Sequence, residues 1–105
     1  MSKVLKKVGD FLKLLLNTTK QQSKALFYTL TPTQTLAICE ILFNIQKLPL
    51  TSRVVKEIRK RKYLFKKLSE TTISVNRKLD LIQTHYMQIL NTLQLVKVEL
   101  LELLE

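Results

Sequence analysis

The stretch Thr31–Ile45 constrains the fold most, because it reads as a helix that is apolar on nearly every side. Thr31 can cap the free N–H groups of a first turn, and Pro32 suits the first helical position, where its missing N–H costs nothing. At about 100° per residue, Leu36, Ala37, Ile38, Cys39, Ile41, Leu42, Phe43 and Ile45 spread around most of a helix from about Pro32 to Gln46. Only Glu40, Asn44 and Lys47 remain on a narrow polar stripe. A rod of that kind must be surrounded, so the other segments have to pack on it from several directions.

The next segment supplies one such neighbour. Pro49 disfavours helical backbone at Leu48 and closes the rod; Thr51 can cap a new helix, with Leu50 stapling onto Val54 or Val55. Over Ser52–Leu68, Val54, Val55, Ile58, Phe65 and Leu68 form one face and Arg53, Lys56, Arg59, Lys60 and Lys67 the other. Arg61 and Lys62 interrupt the apolar face. Either their methylene stems snorkel along it, or the chain bends near Lys62 and a new short helix starts at Tyr63.

Upstream, Val4, Leu5, Val8, Phe11, Leu12, Leu15 and Leu16 recur at helical spacing over Ser2–Leu16, opposite Lys3, Lys6, Lys7, Asp10 and Lys13. This amphipathic basic helix is either a first core helix or a helix that lies on a membrane surface. Thr18 or Thr19 can cap a second short helix carrying Phe27 and Tyr28.

Downstream of a polar joint at Ser69–Ser74, Val75, Leu79, Ile82, Tyr86, Ile89, Leu93, Val96, Leu100 and Leu103 follow one another at alternating spacings of 4 and 3. That sustained heptad predicts one helix from about Ser74 to Leu104, ~45 Å long. Such a helix outreaches a compact body of this size, so it is expected to project or to pair with another chain, with Leu79, Ile82, Tyr86, Ile89, Leu93, Val96, Leu100 and Leu103 as the oligomerisation seam. A second apolar set, Leu81, Leu90, Leu95, Val98, Leu101 and Leu104, suits further packing on the N-terminal helices or a larger bundle. Glu99, Glu102 and Glu105 oppose the dipole of their own helix and suit a basic helix of this chain or of another copy.

One Gly and two Pro in 105 residues, with abundant Leu, Ile and Lys, argue for an all-α fold. The expectation is a small bundle of about five helices: a basic helical bundle over residues 1–70 and a long heptad helix over residues 71–105, packed on the bundle, self-associating, or both.

Charge separates the two parts. Residues 1–79 carry 17 basic and 4 acidic side chains, a balance of +13, whereas residues 80–105 carry 1 and 4, a balance of −3. The basic part invites a polyanion. Between Arg53 and Lys67, eight cations (Arg53, Lys56, Arg59, Lys60, Arg61, Lys62, Lys66 and Lys67) stand against one acid, Glu57, and Arg77 and Lys78 follow closely. These ten are the candidate nucleic-acid-binding residues. If six of them reach phosphates, the logarithm of affinity falls against that of salt with a slope of about −5. The basic helix has no Asn or Gln to read adenine, so backbone contact independent of sequence is expected. Tyr63 and Phe65 interleave with the cations and can either stack on bases or fill the core, Phe65 lying on the inner face.

Catalytic chemistry is poorly served. His85 and Cys39 can pair in principle, but Cys39 lies on the buried rod, where free Cys commonly packs as a small apolar residue, and no third orienting group follows. The chain lacks a phosphate-binding Gly loop and metal-ligand spacing, so no enzyme activity, cofactor or metal is expected. With a single cysteine, no intrachain disulfide can form. No apolar run approaches the ~18 residues of a membrane span, and Lys6, Lys7, Asp10 and Lys13 break up any signal-peptide core, so an intracellular location is expected.

The segment Leu30-Thr-Pro-Thr-Gln-Thr-Leu-Ala-Ile-Cys-Glu-Ile-Leu-Phe-Asn-Ile45, followed by Leu48-Pro-Leu-Thr51, the basic helix, Tyr63-Leu-Phe-Lys-Lys-Leu-Ser69 and Ile73-Ser-Val-Asn-Arg-Lys78, resembles small basic proteins encoded by Maverick/Polinton-type elements and adinto-like DNA viruses. The likeness spans roughly residues 24–79. It implies a virion-associated or genome-condensing DNA-binding protein in the nucleus or virion, comparable in role to the basic core proteins of adenoviruses. Where those proteins tend to end in a more basic tail and a Gly-rich apolar segment, this chain has acidic leucine heptads, which favour oligomerisation or contact with a capsid protein. Nucleic acid is therefore the first expected partner and a second copy the next. The alternative is a structural helical oligomer docking on an acidic protein, or on a membrane surface through residues 1–16.

Overall fold

The apolar rod sits at the centre of the molecule, as its circumference requires. In the computed structural model, which describes residues 6–104 without the side chain of Leu103, eight α-helices follow one another. They are α1 (Gly9–Leu16), α2 (Lys20–Tyr28), α3 (Pro32–Asn44), α4 (Ser52–Arg59), α5 (Lys62–Ser69), α6 (Val75–Thr84), α7 (Tyr86–Leu95) and α8 (Lys97–Leu104). A 3-10 turn, Ile45–Lys47, finishes α3. Its start is the expected one: Thr31 Oγ1 accepts from the N–H of Gln34 at 3.1 Å, and Gln34 Oε1 accepts from the N–H of Thr31 at 3.0 Å. Thr19 and Gln22 repeat this reciprocal cap on α2, and Thr51 and Ser74 cap α4 and α6.

Helices α5 and α6 pack against α3, burying Ala37, Ile38, Ile41, Leu42 and Ile45 together with Phe65, Leu68 and Ile82. The rod is not covered all round, because Leu36 (38% exposed) and Phe43 (45%) reach solvent. Lys47 lies over the Phe43 ring, its Nζ 4.2 Å from the centroid, where a cation meets the negative face of the π system.

The heptad segment departs from the expectation. Instead of one ~45 Å helix it forms α6, α7 and α8, broken at His85 (φ −113°, ψ 26°) and at Val96 (φ −112°, ψ 23°). The whole molecule measures only 33 × 29 × 27 Å, with a radius of gyration of 12.6 Å, against about 13 Å for a compact chain of this length.

The reason is energetic. A straight helix would carry its last turns beyond the body, whereas two breaks fold Leu90, Leu93, Val96, Leu100 and Leu104 into the core. Each such burial contributes about 1.5–3 kcal/mol, which exceeds the cost of about 1–3 kcal/mol for each residue held in a sparsely populated backbone region.

Helix α7 thus packs on α1, α2 and α4, and α8 on α1. The Phe27 and Tyr86 rings meet at 5.7 Å between centroids. Gln83 Nε2 donates to the carbonyl of Phe27 at 3.2 Å, tying α6 to the C-terminal end of α2. Of the proposed oligomerisation seam, Ile82, Ile89, Leu93, Val96 and Leu100 are buried within the chain, and Leu79 and Tyr86 pack half-buried against the same core. These seven side chains are therefore engaged in packing within the chain's own fold. The side chain of Leu103 lies outside the described residues.

At the other end of the chain, Leu12, Leu15 and Leu16 of α1 point into the core. The face that a surface-seeking helix would lay on lipid is already covered there; Val4 and Leu5 lie outside the described residues. No helix among the described residues is long and apolar enough to cross a membrane.

Candidate nucleic-acid interface

Which cations meet depends on how the basic segment bends. Helix α4 ends at Arg59 and is followed by Lys60, and Arg61 (φ −106°, ψ 17°) precedes α5, which begins at Lys62, so the bend falls where two cations interrupt the apolar stripe. Ile58 on one side and Phe65 and Leu68 on the other then both reach the core. The bend also divides the cations.

Lys60, Arg61, Lys66 and Lys67 come together around a groove of about 520 Å³. Leu64 and Leu81 contribute apolar wall, His85 and Gln88 a polar end, and Tyr63 a ring. Glu70 is the one carboxylate lining it. Tyr63 is 88% exposed, while Phe65, two residues on, is 2% exposed. His85 Nδ1 lies 3.1 Å from Gln88 Oε1, within hydrogen-bond distance.

The other predicted cations lie elsewhere. Arg59 and Lys62 line a separate cavity with Gln46 and Ile58. Arg53 lines another with Lys20, Glu57, Asn91, Gln94 and Leu95. Lys56 is exposed on α4. Two of the ten are paired with acids of their own helix: Lys60 Nζ with Glu57 Oε1 at 2.9 Å and Arg77 Nη1 with Asp80 Oδ2 at 2.7 Å. The hydrogen bond and charge of Lys60, with Arg61 and Arg53 beyond, hold the Glu57 carboxyl below the usual carboxylate range.

Lys78 has to be withdrawn from the phosphate-binding set. It is only 8% exposed, because it falls four residues before Ile82 on the face of α6 that packs on α3. There it lines a cleft with Leu36, Cys39, Glu40, Phe43 and Leu68. Burial pushes the Cys39 thiol up to about 11, with the Lys78 charge pulling more weakly the other way. Cys39 and His85 line different clefts, so the structure does not assemble them into a pair. Among the described residues, no group of three or more His, Cys, Asp and Glu side chains is placed to hold a metal ion.

Sequence reasoning leaves Tyr63 between two roles and gives His85 none beyond a pairing with Cys39. A signal for Tyr63 exists in its spacing: it stands three residues after Lys60 and three and four before Lys66 and Lys67, on the cation face. His85 and Gln88 carry no such signal, since only the break between α6 and α7 turns that corner toward α5.

In comparisons with known protein families, curated proteins and solved structures, the chain matches none.

Proposed function

We propose that the protein is a non-enzymatic, sequence-independent nucleic-acid-binding protein that grips phosphates with Lys60, Arg61, Lys66 and Lys67. The observation that carries this reading is the convergence of four cations from the α4–α5 bend on one groove that a single carboxylate, Glu70, also lines. An ordinary solvated helix face spreads its charges and alternates their sign; this one concentrates one sign beside an exposed ring. What supports a virion-core or genome-packaging setting is the resemblance of residues 24–79 to the small basic proteins of Maverick/Polinton-type elements.

Fluorescence-anisotropy titration with unrelated DNA duplexes over a range of salt tests the reading. With the four groove cations each neutralising one phosphate, the slope of log affinity against log salt is expected near −3.6, shallower than the value for six contacts. Absence of binding to duplex and single strand alike at low salt removes the proposal. The alternative, a helical protein docking on an acidic protein partner, draws on the same cations, and equal competition by an acidic polypeptide in that titration would favour it.

A further inference from the structure

If the groove holds nucleic acid at all, its walls select the form. A duplex keeps its bases stacked and offers a protein phosphates and groove edges, which cations alone can engage. The groove presents more than cations. Its volume of about 520 Å³ falls within the range of about 300–1,000 Å³ typical of sites for small organic molecules. Tyr63, a bulky ring left 88% exposed, stands beside the apolar Leu64 and Leu81. At the polar end, the bond between His85 and Gln88 leaves the second ring nitrogen and the amide N–H groups for a ligand. Cation, ring, apolar wall and polar edge match the phosphate, π face and edge of one unstacked nucleotide.

We infer, building on the nucleic-acid reading above, that this groove is a single-strand site: one base of an unpaired polynucleotide stacks on Tyr63 while Lys60, Arg61, Lys66 and Lys67 hold the flanking phosphates. Stacking on a ring tolerates any base, because every base has a π face, and this agrees with the absence of base-reading side chains on the basic helix.

The intact chain is titrated by anisotropy with a labelled thymidine oligomer of about 12 nucleotides, within the size one small module covers, and with a blunt duplex of equal length at the same salt. The single strand is expected to bind the more tightly. Tyr63→Ala is expected to weaken the single strand at least about fivefold and to leave the duplex within about twofold, while Tyr63→Phe, which keeps the ring, retains the single strand. Because Tyr63 is a surface residue, all three proteins should give the same circular dichroism and unfolding midpoint.

Equal or tighter duplex binding, an equal loss of both ligands in Tyr63→Ala, or a Tyr63→Phe as weak as Tyr63→Ala would each overturn the single-strand site and leave nucleic-acid binding standing. Failure of both oligomers to bind at low salt would remove both proposals. Thymidine monophosphate separates the two sources of a nucleotide: displacement of the oligomer at equal nucleotide concentration would assign the groove to a free nucleotide instead of a chain.

Discussion

The basic arm α4–α5 and the C-terminal run α6–α8 are broken in the same way and gain opposite things from it. Arg61, His85 and Val96 all adopt φ between −106° and −113° with ψ between 17° and 26°, and none is Gly or Pro. In the C-terminal run the breaks bring leucines inward, so a segment patterned for a long seam closes on α1, α2 and α4. In the arm the break keeps Ile58, Phe65 and Leu68 inside and turns four cations and Tyr63 around one groove. The difference shows that a kink serves whichever surface the straight helix would have wasted: grease in one case, charge in the other.

The strongest way to break this comparison is to attack the C-terminal run. Leu93 is almost fully buried on α7, and Leu93→Ala should cost about 2–5 kcal/mol in denaturant unfolding followed by circular dichroism. If these leucines serve the chain's own core alone, the loss should be the same at low and high protein concentration. An unfolding midpoint that rises with concentration would instead reveal a seam shared between copies.

A smaller effect sharpens the arm. Lys66→Gln should reduce the salt slope of DNA binding by about 1, whereas Lys78→Met, which keeps the length of the stem without the charge, should leave that slope unchanged. Equal effects in the two variants would mean that the cleft beside α3 opens to ligand and that the groove is not a separate site.

How far these features could be read in advance follows from the same two regions. The caps at Thr31 and Thr51 and the central rod were legible, because each is written locally: a hydroxyl before a first turn, apolar residues around a circle; the bend near Lys62 was legible only as one of two readings, since two cations where the stripe needs grease can either snorkel or mark a break. The breaks at His85 and Val96 were not. The heptad runs through both positions without a fault, and only the competition between a projecting helix and a buried one decides against it. Lys78 was misplaced for a related reason. It follows Arg77 in a basic run, yet it stands in register with Ile82, and register on α6 outweighs the company of neighbouring charges. The groove's polar end inherits that limit, since His85 and Gln88 reach it only through a break that local pattern does not encode.

The smallest effect concerns the place where the two regions meet. Cys39 on α3 lines a cleft whose other walls include Leu68 of α5 and Lys78 of α6, so its thiol reports whether both stay closed on the rod. Burial disfavours the thiolate and raises the pKa from 9.0 to about 11. The folded state therefore keeps a proton that the unfolded chain gives up, and the sign of the linkage follows. The contribution is whole below pH 9.0 and is lost as pH rises through about 11. The stability of the protein relative to Cys39→Ala, which has nothing to titrate there, should be flat up to the lower value and then fall. Near neutral pH, alkylation of Cys39 should be far slower in the folded protein than in denaturant. Lys78→Met should slow it further, since that charge is what favours the thiolate. Alkylation of the native protein at the unfolded rate would mean that α5 and α6 part from α3, and the contrast between an arm that displays charge and a run that hides grease would lose the common wall on which both are built.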